Sequence, residues 1–326
     1  MLQFEPSYFN AEDRDGFHIK SMVKRCWAVQ LKVLSEIDAI CKRHNIMYYA
    51  ECGTLLGAVR HGGFIPWDDD LDIGMRRVDY TRFLHYAKTE LPEGYSIINV
   101  KGNGIQLICR VVNTLFITMN PKQLEEFYGF PYIGGIDIFI TDNIPKNKNE
   151  ENVQLELLAA VNSLAINWDK KFSNTQSDNL DVESVENASM EEKMELVKQI
   201  EELCNIKLDP NKSMKRQLLI LSDQICAMYW DDEPNEVSLM PDLVLKREFR
   251  FPVSYYASTI DMPFENTTIP VPKEYDKILR KRYGDNYMTP IQCTSSHNYP
   301  FYCHQEKRLF AEFEKQNLPI PAYLKE

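Results

Sequence analysis

Stretches of one character are what this chain lacks. No uninterrupted apolar run approaches the roughly 18 residues that would suggest a membrane span, so no transmembrane helix is expected. No tract of Lys and Arg stands out, and the formal net charge is −11. That balance argues against a nucleic-acid surface, because phosphate backbones are held by clustered cations. The first residues, MLQFEPSYFNAEDRDG, have neither the basic start nor the apolar centre of a secretory signal. There is no CxxC pair: the eight cysteines (Cys26, Cys41, Cys52, Cys109, Cys204, Cys226, Cys293, Cys303) are scattered. Without a secretion signal they are expected to be reduced thiols in a cytoplasmic protein. Cys293, His297, Cys303 and His304 lie close together, but their spacing fits no standard zinc finger, and a packed tail is the better reading. No internal repeat is present. What remains is ordinary globular composition, 44% hydrophobic and 11% aromatic. The 326 residues suffice for one large domain or a catalytic domain with an added helical part.

The informative stretch runs from Tyr48 to Met75, YYAECGTLLGAVRHGGFIPWDDDLDIGM. Ile46–Ala50 is expected as the first core strand. Gly53-Thr54 then falls where a strand turns into a helix, so backbone N–H groups there would be available to a phosphate. In an extended Asp70-Leu71-Asp72-Ile73, the two acids share one face while Leu71 and Ile73 anchor the other. Paired carboxylates suit one hard divalent cation, and Mg²⁺ takes such ligands while leaving room for substrate phosphates. A phosphate cradle followed by a carboxylate pair points to metal-assisted transfer of a phosphorus group. Read separately, Asp68-Asp69-Asp70 is equally a solvated acidic turn, and Gly-Thr after a strand is common in loops.

The string GTLLGAVRHGGFIPWDDDLDIGM resembles the signature of the LicD family. It does so through Gly53-Thr54-Leu55-Leu56-Gly57, Arg60-His61, Pro66-Trp67-Asp68 and Asp70-x-Asp72. The resemblance implies an α+β fold: a nucleotidyltransferase-like mixed sheet flanked by helices, with a helical insertion. It also implies transfer of phosphocholine or a related phospho-alcohol from a CDP-activated donor to a cell-surface glycan.

Along the rest of the chain, residues 19–43 show helical periodicity and end in Lys42-Arg43. Arg77–Leu91 is expected as a helix with Val78, Phe83, Leu84 and Ala87 inward. Tyr95–Val100 and Ile105–Val112 read as strands about a Gly102-Asn103-Gly104 hairpin turn, with Leu115–Met119 as a further strand. Arg110 on this sheet would grip a donor phosphate bidentately, or else pair with a neighbour as an exposed strand Arg. In Gly134–Asp142, Ile136, Ile138 and Ile140 share a face and turn Asp137 to the other. A third carboxylate there would complete an acidic cluster, and the resemblance extends to this Asp-Ile-Phe strand. Helices are expected over 150–172, 189–206 (opened by the capping box Ser189…Glu192) and 212–230, with a polar loop at 173–189. Val244–Val253 is expected to return to the sheet. Phe264–Pro290 is similar to the family's C-terminal motif, with a helix at Lys273–Tyr283 capped by Gly284. Residues 304–317 read as a closing helix. The divisions expected are a catalytic core at 1–145, an insertion at 146–243 and a C-terminal part at 244–326.

The mechanism this implies places Mg²⁺ (or Mn²⁺) on Asp70, Asp72 and Asp137. Gly53 and Thr54 would orient the donor diphosphate, and Arg60 and Arg110 would stabilise the phosphoryl oxygens. Asp137 would also accept the acceptor's proton. Trp67 would stack on the base or on choline, or else sit in the core; His61 and Asp68 are expected to order the loop. Two other readings share these residues: nucleotidyl transfer from an NTP with pyrophosphate leaving, and a non-catalytic binding module. The acceptor would be a glycan or a lipid-linked glycan, and a lipid-linked one would bring the cytoplasmic protein into transient contact with the inner membrane face.

Overall fold

The computed structural model describes residues 2–170, 188–292 and 299–325. They form two compact units: Met1–Ile98, Cys109–Ile140 and Ser254–Glu326 make the first, and Asn99–Ile108 with Thr141–Val253 the second. The fold is α+β with a mixed sheet.

In the first unit, strands β1 (Glu12–Arg14) and β2 (Phe17–Ile19) form a hairpin. Its turn residues, Asp15 and Gly16, both take positive φ, as a tight two-residue turn requires. Helix α1 (Ser21–Arg43) follows, with the basic pair Lys42 and Arg43 in its last turn. Its Trp27 is fully buried and stacks on Phe64 at 4.7 Å. Strand β3 (Tyr49–Ala50) is shorter than the expected Ile46–Ala50. Next come α2 (Cys52–His61), β4 (Asp72–Arg76), α3 (Arg77–Glu90), β5 (Ser96–Ile98), β6 (Cys109–Val112) and the short α4 (Pro121–Glu126). The sheet is completed by β7 (Gly135–Asn143), in the order β3-β4-β7-β6-β5.

Three expectations for this part of the chain are corrected. Val78 is 48% exposed; Tyr80, Phe83 and Ala87 make the buried face of α3. The Gly102-Asn103-Gly104 turn folds back on the Asn99 carbonyl, so β5 and β6 pair only outside residues 99–108. Leu115–Met119 is no strand: Leu115 and Phe116 are exposed and have no partner strand to pack against.

The second unit is largely helical: α5 (Lys148–Asn167), α6 (Met190–Cys204) and α7 (Met214–Cys226). The capping box at Ser189 and Glu192 forms as the spacing predicts. Its core joins Leu155, Leu158, Val161 and Leu164 of α5 to Leu218, Leu221 and Ile225 of α7. Strand β8 (Glu236–Leu239) pairs with Thr141–Asn143 of β7, then α8 (Met240–Leu245) leads to β9 (Phe251–Pro252). The expected strand Val244–Val253 is therefore mostly turn and helix end, because Pro241 sits in the first turn of a helix rather than ahead of a strand. The 173–187 part of the expected loop lies outside the described residues.

The chain then returns to the first unit with the hairpin β10 (Thr259–Phe264) and β11 (Thr267–Pro272), followed by α9 (Tyr275–Tyr283) and α10 (Cys303–Lys315). Gly284 closes α9 at φ 85°, as read from the sequence. Cys293 and His297 lie outside the described residues. Among the described residues no helix is long and apolar enough to cross a membrane.

Candidate active site

The site is built around the first turn of α2. Glu51, 1% exposed, precedes it and accepts a hydrogen bond from the Cys52 N–H. The same carboxylate meets the Arg282 guanidinium at 3.1 Å, with that side chain 8% exposed. A buried pair of this kind is costly to break, since either partner alone would be an uncompensated charge. Cys52 sits at φ 48°, in the left-handed region that non-glycine residues rarely adopt. Such strain persists only where the surroundings hold it.

The next two residues set distances. A Cβ on Gly53 would fall 2.6 Å from Asp68 Oδ2, so glycine here is what allows the Asp68 carboxylate to lie against the helix start. The Thr54 hydroxyl accepts a 2.8 Å hydrogen bond from the Asp72 N–H. It thereby ties α2 to the first residue of β4. At the other end of α2 Gly62 caps the helix at φ 64°, and a Cβ on Gly57 would meet the Gly63 carbonyl at 2.4 Å. The helix thus approaches its own exit loop backbone to backbone.

Three carboxylates, of Asp68, Asp69 and Asp70, bring ligand atoms within 4.8 Å of one another. Their surroundings differ. Asp69 is fully buried and faces inward: its Oδ2 accepts from the Phe301 N–H at 2.6 Å, and its carbonyl accepts from Gln30. Burial, the neighbouring Asp70 and then Asp69 push the Asp68 carboxyl up to about 8. The Asp72 carboxyl is pushed well above its usual range by burial first, then by Asp70, Asp137, Asp68 and Glu51. Asp137 stands on β7, the neighbour of β4, and its N–H donates to the Leu71 carbonyl at 3.2 Å. Arg110 is its direct cross-strand partner on β6 and holds it with two hydrogen bonds, Nε to Oδ1 and Nη2 to Oδ2. That contact, with Asp72 and Asp70 further off, raises the Arg110 guanidinium further, so it stays charged.

Asp70, Asp72 and Asp137, read from the sequence as one cluster, therefore share one electrostatic field. The tight trio of ligand atoms, however, is Asp68, Asp69 and Asp70. Arg110 takes the paired position, on Asp137. Arg60 is not brought to the acids: it lies in the last turn of α2, where its Nη1 donates to the Tyr287 carbonyl at 2.9 Å. A helix rises about 1.5 Å per residue, which puts Arg60 about 9 Å along the axis from Thr54. Trp67 is half-buried, edge-on to Phe17 and His61. His61 contacts Asp15 at 3.2 Å, and burial and Arg60 lower its pKa.

Sequence reasoning passed over Glu51 and Arg282, and it gave Asp68 only a loop-ordering part. For Asp68 the signal was Gly53, whose missing side chain makes room for it. The Glu51–Arg282 pair carries no local signal.

Fold and site together define an arrangement: a mixed sheet whose neighbouring strands β4 and β7 present acids beside a helix start. Comparison with known proteins narrows this. The family described as LicD/FKTN/FKRP, nucleotidyltransferase domain, matches residues 45–128, a stretch that holds Asp70, Asp72 and Arg110 but not Asp137. The lipopolysaccharide cholinephosphotransferase LicD of Haemophilus influenzae is 46% identical over 118 residues, 36% of this chain and 43% of that protein. An uncharacterized protein of Rickettsia typhi is 36% identical over 109 residues, 33% of this chain and 34% of its own length. The human ribitol 5-phosphate transferase FKRP is 44% identical over 39 residues, 12% of this chain and 8% of that protein. The resemblance to the LicD family is thus shown over residues 45–128, which carry part of the site. The matches span less than half the length of each of these relatives.

Proposed function

We propose that this protein is a divalent-cation-dependent transferase. In this reading it moves phosphocholine or a related phospho-alcohol from a CDP-activated donor to a glycan hydroxyl. The observation that supports this best is the gathering of Asp68, Asp70, Asp72 and Asp137 at the first turn of α2, inside or beside the stretch similar to LicD.

The donor set fits a hard cation. Buried, mutually repelling carboxylates are a costly arrangement that such an ion relieves, and oxygen-only ligands suit Mg²⁺ or Mn²⁺. Asp70, Asp72 and Asp137 would hold it, with Asp68 alongside. When bound it supplies neutralisation of the charge on the donor diphosphate and the leaving nucleotide. The rest falls to the chain itself. The start of α2 offers N–H groups at Gly53 and Thr54 and the positive end of the helix to a phosphate oxygen. The Thr54 hydroxyl ties the Asp72 backbone to the start of α2. Arg110 uses two of its donors on Asp137 and offers the others, at fixed charge, to a phosphoryl oxygen. With both oxygens on Arg110, Asp137 serves the cation rather than the acceptor's proton. Arg60 and Trp67 support the loop and the α2 terminus. Work at the inner membrane face, on a lipid-linked acceptor, belongs to the same proposal.

Nucleotidyl transfer from an NTP would use the same acids; similarity to a named cholinephosphotransferase favours the first reading. Calorimetry tests it. CDP-choline is expected to bind with Mg²⁺ present and not in EDTA, and tighter binding of NTPs than of any CDP-alcohol would move the assignment to nucleotidyl transfer.

A further inference from the structure

The acidic stretch Asp68–Asp70 is held from behind by two distant parts of the first unit. From α1, the Gln30 Nε2 donates to the Asp69 carbonyl at 2.9 Å and the Trp27 Nε1 to the Asp68 carbonyl at 3.2 Å. From the C-terminal side, the Phe301 N–H donates to Asp69 Oδ2 at 2.6 Å. That amide is itself fixed in place. Beside it the buried Tyr302 stacks on Tyr132 at 4.9 Å, and the Gln305 Oε1 accepts from the Ile133 N–H at 2.8 Å. Gln30 is buried too, and its Oε1 has no hydrogen-bond partner among the described residues. An amide buried with its acceptor half unsatisfied costs stability, so filling space is a poor account of this side chain. Its donor, set on the Asp69 carbonyl, is the better one.

We propose that Asp69 is a positioning residue rather than a ligand of the cation. Gln30 and the Phe301 amide grip it, and through it they aim the carboxylates of Asp68 and Asp70. The proposal rests on the cation-dependent reading above. An Asp69 oxygen lies within 4.8 Å of ligand atoms of Asp68 and Asp70, which by distance alone would make it a third ligand. Its surroundings argue the other way. Burial alternates along the stretch, with Asp69 buried between half-buried Asp68 and Asp70, as when extended backbone sends successive side chains to opposite sides. One of its oxygens is already committed to an amide on the buried side. Groups that orient metal ligands without touching the metal are typically worth roughly tenfold to a hundredfold in affinity.

The test is Mn²⁺ binding to the full-length protein by calorimetry, without nucleotide, beside melting temperature in EDTA. Asp69→Asn keeps a carbonyl oxygen for the Phe301 N–H and should bind Mn²⁺ nearly as tightly as wild type. Asp70→Asn, which removes a ligand, should not. Gln30→Met leaves every acid in place, yet it should weaken Mn²⁺ binding by roughly tenfold or more while the melting temperature in EDTA stays that of wild type. A merely structural Gln30 would move the melting temperature and leave the affinity alone. Asp69→Asn losing Mn²⁺ as Asp70→Asn does would make Asp69 a ligand and overturn the proposal. Wild-type affinity in Gln30→Met would overturn it as well, as would a loss that only tracks a lowered melting temperature. If the wild type itself binds no Mn²⁺, the cation-dependent reading has failed and this inference falls with it.

Discussion

Asp68 shows how one side chain links sequence, stability and ligand. Its carboxyl titrates near 8 in the folded protein against 3.8 for an ordinary Asp. Between those values the folded state keeps a proton that the unfolded state has released. Stability therefore falls as pH rises through that window, the opposite of a salt-bridged acid. Asp68→Asn removes this titration while leaving an oxygen for the Asp69 N–H. In EDTA the variant should melt above wild type by a few °C near the top of the window and by nothing at its bottom. Mg²⁺ should shrink the gap by stabilising wild type alone. A constant offset at every pH would show that Asp68 does not carry this charge. Gly53→Ala acts on the same carboxylate from the other side. Its Cβ displaces the end of a flexible side chain, so the expected cost in stability is small, under about 1 kcal/mol, while donor binding weakens. Calorimetry with CDP-choline, alongside thermal melting, separates the two effects.

Among the elements, those whose pattern is local were legible. Strand β7 could be read because Ile136 and Ile138 alternate with Asp137, and α1 because its apolar residues recur at helical spacing. The α6 start was written in Ser189 and Glu192. Leu115–Met119 misleads because apolar residues outside any sheet look like those inside one. The hairpin β1–β2 is announced by Asp15-Gly16, but its flanking strands are three residues each and too polar to read as a core element. The end of α5 carries a feature no pattern shows. Lys193 of α6, 2% exposed, donates to the carbonyls of Asn167, Trp168 and Lys170. It thus satisfies groups that a helix C-terminus leaves open. Lys193→Met should cost about 1–3 kcal/mol, since it strands the buried Asn167 carbonyl and removes a donor from two part-buried ones without removing the packing. Chemical denaturation would measure it, and a cost below 0.5 kcal/mol, about the effect of a surface change, would mean that water replaces the amine.

Across the whole molecule, the acids of the site were legible because they stand in one continuous stretch, Asp68 to Asp72, with Asp137 on a strand of clear alternation. Their relations were not. That Arg110 faces Asp137 depends on the register of β6 against β7, and that Arg282 reaches Glu51 depends on the chain returning after more than two hundred residues. Such contacts are fixed by tertiary packing, which one-dimensional spacing does not encode. They are also the contacts that order the acids and the helix start: Thr54 holds Asp72, Arg110 holds Asp137, and Glu51 with Arg282 holds the turn between β3 and α2. The most direct measurement is CMP release from CDP-choline by the purified protein, with Mg²⁺ or EDTA, for wild type and Asp72→Ala. The account predicts metal-dependent CMP release that the substitution abolishes. Release of CMP that persists in EDTA, or equally in Asp72→Ala, would contradict it.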